Sequence, residues 1–171
     1  MKEEFLDIID ENDKVIDKDT RENIWKRGLE HNVRVVNIFI FNKEGKLLLP
    51  KRSMNRRIFP GCFDFSCGEH VLSGEDYYEA AIRGLREELG IENPKLTELE
   101  KLTPKDGVSC FMKIYQLNYD GEIKNYDKGG IEALFWYDLK TVKQMIKEDK
   151  HKFKRDFPTV LNWYIKKFSK K

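Results

Sequence analysis

With 171 residues, 40% of them hydrophobic and 36% charged, the chain has enough material for one globular domain with its own core. Its 32 Lys+Arg against 30 Asp+Glu leave a formal charge of +2, which speaks against a dedicated nucleic-acid binder. No apolar run reaches the roughly 20 residues of a membrane span, and the acidic opening MKEEFLDIIDEND does not read as a signal peptide, so a cytoplasmic setting is expected.

In chain order, FLDIIDENDKVI has two apolar runs around a turn former and predicts a small hairpin. Residues Asp19 to Glu30 follow as a helix capped by Thr20 or Asp19, with Ile24, Trp25 and Leu29 as its apolar stripe. A second hairpin pairs RVVNIFIFN with KLLLPKRS across Asn42-Lys43-Glu44-Gly45. The stretch Met54 to Cys62, with Pro60-Gly61, reads as a loop. A helix is predicted from about Glu75 to Leu89, ended by Gly90. Its apolar stripe is Tyr78, Ala81, Ile82, Leu85 and Leu89, with Gly84, Glu87 and Glu88 on another side. Strands are expected near Leu96–Leu102, Val108–Asn118 and Leu134–Tyr137, and closing helices at Leu139–Glu148 and Phe157–Phe168. Mixed strands and helices without regular alternation point to an α/β or α+β sandwich. No linker or repeat divides it, so one domain is expected over 1–171, with an N-terminal hairpin and helix extension to about residue 30.

Cys62, Cys67 and Cys110 form no even framework and read as reduced thiols; Cys62, Cys67 and His70 match no standard zinc spacing. The basic C-terminal stretch (Lys150, Lys152, Lys154, Arg155, Lys166, Lys167) is either a solvated face or a contact for an anionic partner. Glu87 and Glu88 stand near a helix C-terminus, where the dipole and their mutual repulsion both favour a bound cation. Mg²⁺ takes carboxylates together with substrate phosphates, and Arg83, one turn earlier, is placed to orient Glu87.

The segment GEHVLSGEDYYEAAIRGLREELGI, Gly68 to Ile91, resembles the Nudix family, whose box reads G-x5-E-x7-R-E-U-x-E-E-x-G-U with U a bulky aliphatic residue. Glu75, Arg83, Leu85, Glu87, Glu88, Gly90 and Ile91 match it in register. Beyond the box, RVVNIFIFNKEGKLLLPKRS, FPGCFDFSCGEHVLSGE and LFWYDL resemble the branch related to isopentenyl-diphosphate isomerases, over roughly Phe5 to Ile165. The resemblance implies a mixed sheet between helices and a loop–helix–loop metal site. It further implies a Mg²⁺- or Mn²⁺-dependent hydrolase of a diphosphate linkage in a nucleoside di- or triphosphate or a related small molecule. Glu87, Glu88, Glu69 and the Gly68 carbonyl are the implied metal ligands, and Arg83 acts with the three glutamates in catalysis. Lys51, Arg52, Arg56 and Arg57 are candidates for the phosphates, with Arg52 foremost, and Phe59 and Phe111 for a base. Phe63, Phe65 and Tyr115 are further aromatic candidates.

Two box positions depart from the pattern: Glu69 stands for the leading Gly, and Gly84 for a Glu that serves relatives as metal ligand or general base. Either Glu69 supplies the carboxylate missing at 84, or the box has drifted and the chain only binds its ligand. Gly130 occupies a late-strand place that is often acidic in relatives, with Glu132 a possible stand-in. The isomerase reading meets Gly68 where a catalytic Cys belongs, and Cys67 one residue off points to the other face of a strand. Oligomeric state stays open, a homodimer included.

Overall fold

The computed structural model of the chain describes residues 3–169. β1 (Phe5–Ile9) and β2 (Val15–Thr20) form the expected antiparallel hairpin. Its turn is closed by the Asp10 carboxylate, which accepts from the Asn12 and Lys14 amides, both at 2.9 Å. Thr20 caps α1 (Arg21–Lys26), accepting from the Asn23 amide at 3.2 Å. The helix stops short of the expected Glu30 because Gly28 takes φ +67°, a left-handed conformation that ends helical hydrogen bonding.

β3 (Arg34–Phe41) and β4 (Leu47–Arg52) follow as expected. The four-residue β5 (Cys67–His70) is an additional strand. The catalytic-box helix, α2 (Tyr77–Leu89), begins two residues later than expected. Asp76 accepts from the Glu79 amide while the Glu79 side chain reaches back to the Asp76 amide, a reciprocal cap that fixes the start. β6 (Thr97–Leu102), β7 (Phe111–Asn118), β8 (Ile131–Tyr137), α3 (Leu139–Glu148) and α4 (Phe157–Phe168) complete the chain. β7 starts later than expected because a short 3-10 turn at Pro104–Asp106 and a loop precede it.

The main sheet runs β6-β7-β3-β4-β8, with β5 also paired to β3. Only β3 and β7 are parallel; all other neighbours are antiparallel. Side chains alternate across β3. Val36, Ile38 and Ile40 meet Ala81, Leu85 and Leu89 of α2, whereas Phe39 and Phe41 meet Phe157, Leu161 and Tyr164 of α4. The expected sandwich is therefore present, a mixed sheet between helices. A third cluster, Leu6, Ile8, Ile24, Val33 and Cys110, seats the N-terminal extension on the open end of the sheet.

Two details of this frame prepare a cleft. First, β3 and β4 share only the Phe41–Leu47 pair, because the N-terminal half of β3 pairs with β5 instead. At the fork, the buried Ser66 hydroxyl accepts from the Ile40 amide (2.9 Å) and donates to the Leu48 carbonyl (2.7 Å). One side chain thus satisfies two backbone groups that the splayed ladder leaves over. Second, the buried face of α2 is Ala80, Ala81, Gly84, Leu85 and Leu89, with Tyr78 48% exposed. The stripe is turned relative to the one expected, since Tyr78 leans to the rim against Tyr115. Gly84 thereby faces inward, against β5.

Candidate active site

Glycine at 84 is required by the neighbour it faces. A Cβ there would stand 2.4 Å from Glu69 Cγ and 3.1 Å from Cys67 Sγ, distances that force a rearrangement. The Glu69 side chain, rising from β5, occupies the space that a residue at 84 would need. The two departures from the box therefore meet in space.

Arg83 gathers the acidic groups from three directions. It holds Glu75 through two bonds (Nε to Oε1, 2.7 Å; Nη2 to Oε2, 3.0 Å) and donates to the His70 carbonyl at 2.8 Å. Its Nη1 also lies 3.3 Å from Glu69 and 3.5 Å from Glu87. Burial opposes the charge of Glu75, but the Arg83 bonds and the Leu72 amide more than offset it, so Glu75 is held below the usual carboxylate range. Glu69 and Glu88 behave in the opposite way. Burial, which outweighs the charge of Arg83, raises Glu69. Burial and then the charges of Glu69 and Asp64 push Glu88 up to about 8. Cys67, packed against Glu88, is raised well above a free thiol by burial and the same two glutamates. His70 is pushed down to about 3 by burial and by Arg21, Lys154 and Arg83, and stays neutral.

A cleft of about 530 Å³ opens beside these groups, within the range of small-molecule sites. Its lining includes Gly68, Glu69, Glu87, Glu88, Arg52 and Phe59, so these expected site residues share one cavity. Arg83 and Glu75 lie behind the carboxylates. Lys51, Arg57 and Phe111 are not in the lining: Lys51 pairs with Glu132 at 3.0 Å, which takes up the acid considered as a stand-in at the late strand, and Phe111 is buried. Of the other aromatics, Phe65 lines the cleft, whereas Phe63 and Tyr115 belong to the core. Arg52 is largely committed to shape: it donates to the Phe59 and Ile58 carbonyls (3.1 and 2.8 Å) and to Asp64 (2.8 Å). These bonds hold Phe59 at φ +53°, a costly conformation for a bulky residue.

Asp127, Lys154 and Trp25 are among the lining residues that were not singled out as site residues from the sequence. Asp127 is set by its amide on the Glu88 carbonyl at 2.8 Å and lies 3.5 Å from Arg56. Its cue is Gly130, where a Cβ would stand 2.0 Å from Arg56 Nη2 and 2.4 Å from Asp127 Oδ2. Lys154, part of the basic C-terminal stretch, is brought in by a short bridge: the Phe63 amide donates to the Lys152 carbonyl (2.8 Å) and the Lys154 amide to the Phe63 carbonyl (2.9 Å). Its ammonium stands 3.5 Å from Asp64. Trp25 reaches the cleft from α1 and meets the His70 ring edge-on at 5.5 Å. No sequence spacing links these residues to the box.

The acidic groups suit a divalent cation in part. Among the described residues no three or more His, Cys, Asp or Glu side chains converge closely enough to hold a metal ion by themselves. Burial first, and then neighbouring like charge, raises both Glu69 and Glu88; a cation would relieve the like-charge part, and Mg²⁺ commonly completes its shell with substrate phosphates and water. For the isomerase reading, Cys67 lies in the core cluster facing α2, and Gly68 lines the cleft without a thiol.

A sheet sandwiched by helices, with a capped glutamate-rich helix beside a cleft of mixed charge, defines the class of protein. A sequence profile of the NUDIX domain matches residues 31–157, and the chain belongs to the Nudix family. It is 47% identical over 136 residues to an uncharacterized Nudix hydrolase of Nostoc sp. (strain PCC 7120), covering 78% of this chain and 79% of that one. The crystal structure of DR0079 from Deinococcus radiodurans superposes with a TM-score of 0.86 at 31% identity, over 93% of this chain and 98% of that one. Isopentenyl-diphosphate Delta-isomerase 1 of Mus musculus is 41% identical over 116 residues, but the match spans only 50% of that enzyme.

Proposed function

We propose that the chain is a Mg²⁺- or Mn²⁺-dependent hydrolase that cleaves the diphosphate linkage of a nucleoside di- or triphosphate, with Glu69 standing in for the carboxylate absent at 84. The observation that carries this reading is the fit of Glu69 over Gly84, which returns a carboxylate to the α2 surface beside Glu87 and Glu88. These three glutamates would hold the ion. When bound, such an ion supplies Lewis-acid polarisation of the phosphoryl oxygens.

The remaining roles follow from the contacts of the chain itself. Arg83 fixes the orientation of Glu69, Glu75 and Glu87 relative to one another, as a bidentate guanidinium can and a lysine cannot. Lys154 and Arg56 present cations across the cleft to phosphate oxygens, while Arg52 holds the Ile58–Phe59 wall. Glu69 takes the proton from the attacking water at its carboxylate oxygen. Water adds to phosphorus, one P–O bond of the diphosphate breaks, and two phosphate-bearing products leave with one proton released. The test is phosphate or pyrophosphate release from a panel of nucleoside di- and triphosphates, with and without Mg²⁺ or Mn²⁺. Metal-dependent turnover that falls about 100-fold or more in Glu69→Gln is expected. An undiminished rate in that variant overturns the role of Glu69, and absence of turnover with every substrate and metal leaves a binding module in place of an enzyme.

A further inference from the structure

Another part of the cleft lining is built with different chemistry. Here the wall comes from α1 and the loop after it (Trp25, Glu30), from β3 (Asn37) and from β5 (His70). Asn37 is 4% exposed and stands mid-strand on the central strand of the sheet. Its amide nitrogen has only a thioether acceptor, Met112 Sδ at 3.5 Å. Among the described residues no donor bonds its Oδ1, which points at Gly68, 2.8 Å from where a Cβ would stand. Glu30 repeats the pattern: its Oε2 is buried without a hydrogen-bond partner. A buried polar atom left unpaired costs about 1–3 kcal/mol; Glu30 Oε2 carries that cost, and Asn37 Oδ1 is a further acceptor without a donor in the same cavity.

Two unpaired oxygens that share the lining with the Trp25 and His70 rings ask for a flat group that donates hydrogen bonds. We infer that this part of the cleft is a nucleobase subsite that selects amino-bearing bases (cytosine, adenine, guanine) over uracil, with Glu30 and Asn37 as the acceptors. The inference rests on the diphosphate reading only for the placement of the phosphates beside Glu87 and Glu88. Trp25 supplies a planar wall, itself braced by the Arg21 guanidinium 5.3 Å from its ring centroid. The His70 ring, edge-on to Trp25 at 5.5 Å, adds a second aromatic group. The N-terminal extension, through Trp25 and Glu30, is thus part of the specificity apparatus. An exocyclic amino group offers two N–H donors to the two oxygens, whereas uracil offers only its N3–H and leaves an acceptor unpaired, which is the condition under which such sites discriminate.

The experiment is calorimetric titration of the full chain in Mg²⁺ with the non-hydrolysable α,β-methylene diphosphates of cytidine, adenosine, guanosine and uridine. At least one amino-bearing analogue is expected to bind about 10-fold or more tightly than the uridine analogue. Glu30→Gln, which turns one acceptor into a donor, is expected to shrink that ratio to within about 3-fold. The inference is overturned if uridine binds as well as the other three, if none binds, or if the ratio survives in Glu30→Gln. Should that variant fail to fold by circular dichroism, the wild-type ranking decides alone. Discriminating binding without turnover of any diphosphate leaves the subsite and removes the hydrolase reading. Turnover of CDP, ADP, GDP and UDP with equal kcat/KM removes the subsite and leaves the hydrolase.

Discussion

Exchanging the residues at 69 and 84 separates compensation from coincidence. In Gly84→Glu, the new Cβ is driven to 2.4 Å from Glu69 Cγ and 3.1 Å from Cys67 Sγ. Overpacking of this kind costs about 1–3 kcal/mol, partly offset by about 1 kcal/mol from replacing a mid-helix glycine. A further like charge beside Glu69 and Glu88 adds to the cost, so a net loss of about 1–2 kcal/mol is expected. Activity should fall as well, because Glu69 is displaced from Arg83. Glu69→Gly alone leaves the fold intact and lowers kcat by about 100-fold or more, since the carboxylate is gone. The double exchange Glu69→Gly with Gly84→Glu removes the clash and returns the carboxylate to α2. It should recover stability to within about 0.5 kcal/mol of the parent and most of the activity. The two sites should therefore show a coupling energy of about 1–3 kcal/mol in urea denaturation and again in kcat/KM. Additive effects in both assays would refute the claim that the two departures are one device.

Other outcomes follow from named contacts. Ser66→Ala strands the Ile40 amide and the Leu48 carbonyl at the sheet fork and should destabilise the chain by about 2–3 kcal/mol in chemical denaturation; a loss below 0.5 kcal/mol would mean that the fork closes by itself. Lys154→Ala should raise KM for a nucleoside diphosphate about 10-fold with little change in kcat if it binds the substrate's phosphates equally throughout the reaction, and kinetics at saturating Mg²⁺ read the difference. Burial pushes Cys110 up to about 11 from an ordinary 9.0. Its neutral thiol therefore contributes stability that is complete below pH 9 and is lost as pH rises through 11, because the unfolded chain releases the proton first. By pH 10 the parent should have lost about 1 kcal/mol more than Cys110→Ala, relative to pH 8; parallel pH curves for the two proteins would contradict this.

Much of the frame could be read from the chain because its signals are local. Gly90 ends α2 in a left-handed conformation, and Thr20 caps α1, as their positions imply. Both hairpins follow from alternating apolar runs around polar turns. β5 escaped because four residues, Cys-Gly-Glu-His, carry no alternation; its strand state is imposed by the free edge of β3. The box located Glu87, Glu88 and the Glu69–Gly84 exchange, since a helix converts spacing into proximity. The opposite wall could not be read this way. Trp25, Asp127 and Lys154 come from three distant loops or short elements, and only the sheet decides that they meet. Arg52 shows what sequence leaves out: its charge and position point to phosphates, and the fold also engages three of its donors with two carbonyls and Asp64.

The parallel pairing of β3 with β7 also has a kinetic meaning. Arg34 of β3 is opposite Phe111 of β7, so the central ladder joins segments separated by the whole β4–α2–β6 stretch. Local pieces such as the two hairpins and the capped α2 can form early, whereas this ladder must wait for a long loop to close. β3 gives Val35 and Asn37 to the cleft lining, and β5, paired to it, gives Gly68, Glu69 and His70. Ligand binding should therefore return only with the slowest refolding phase, after most helical signal has already recovered. Until then the β3 edge stands open to another chain, which makes dilute refolding conditions, or a bound nucleotide, the natural safeguard against aggregation.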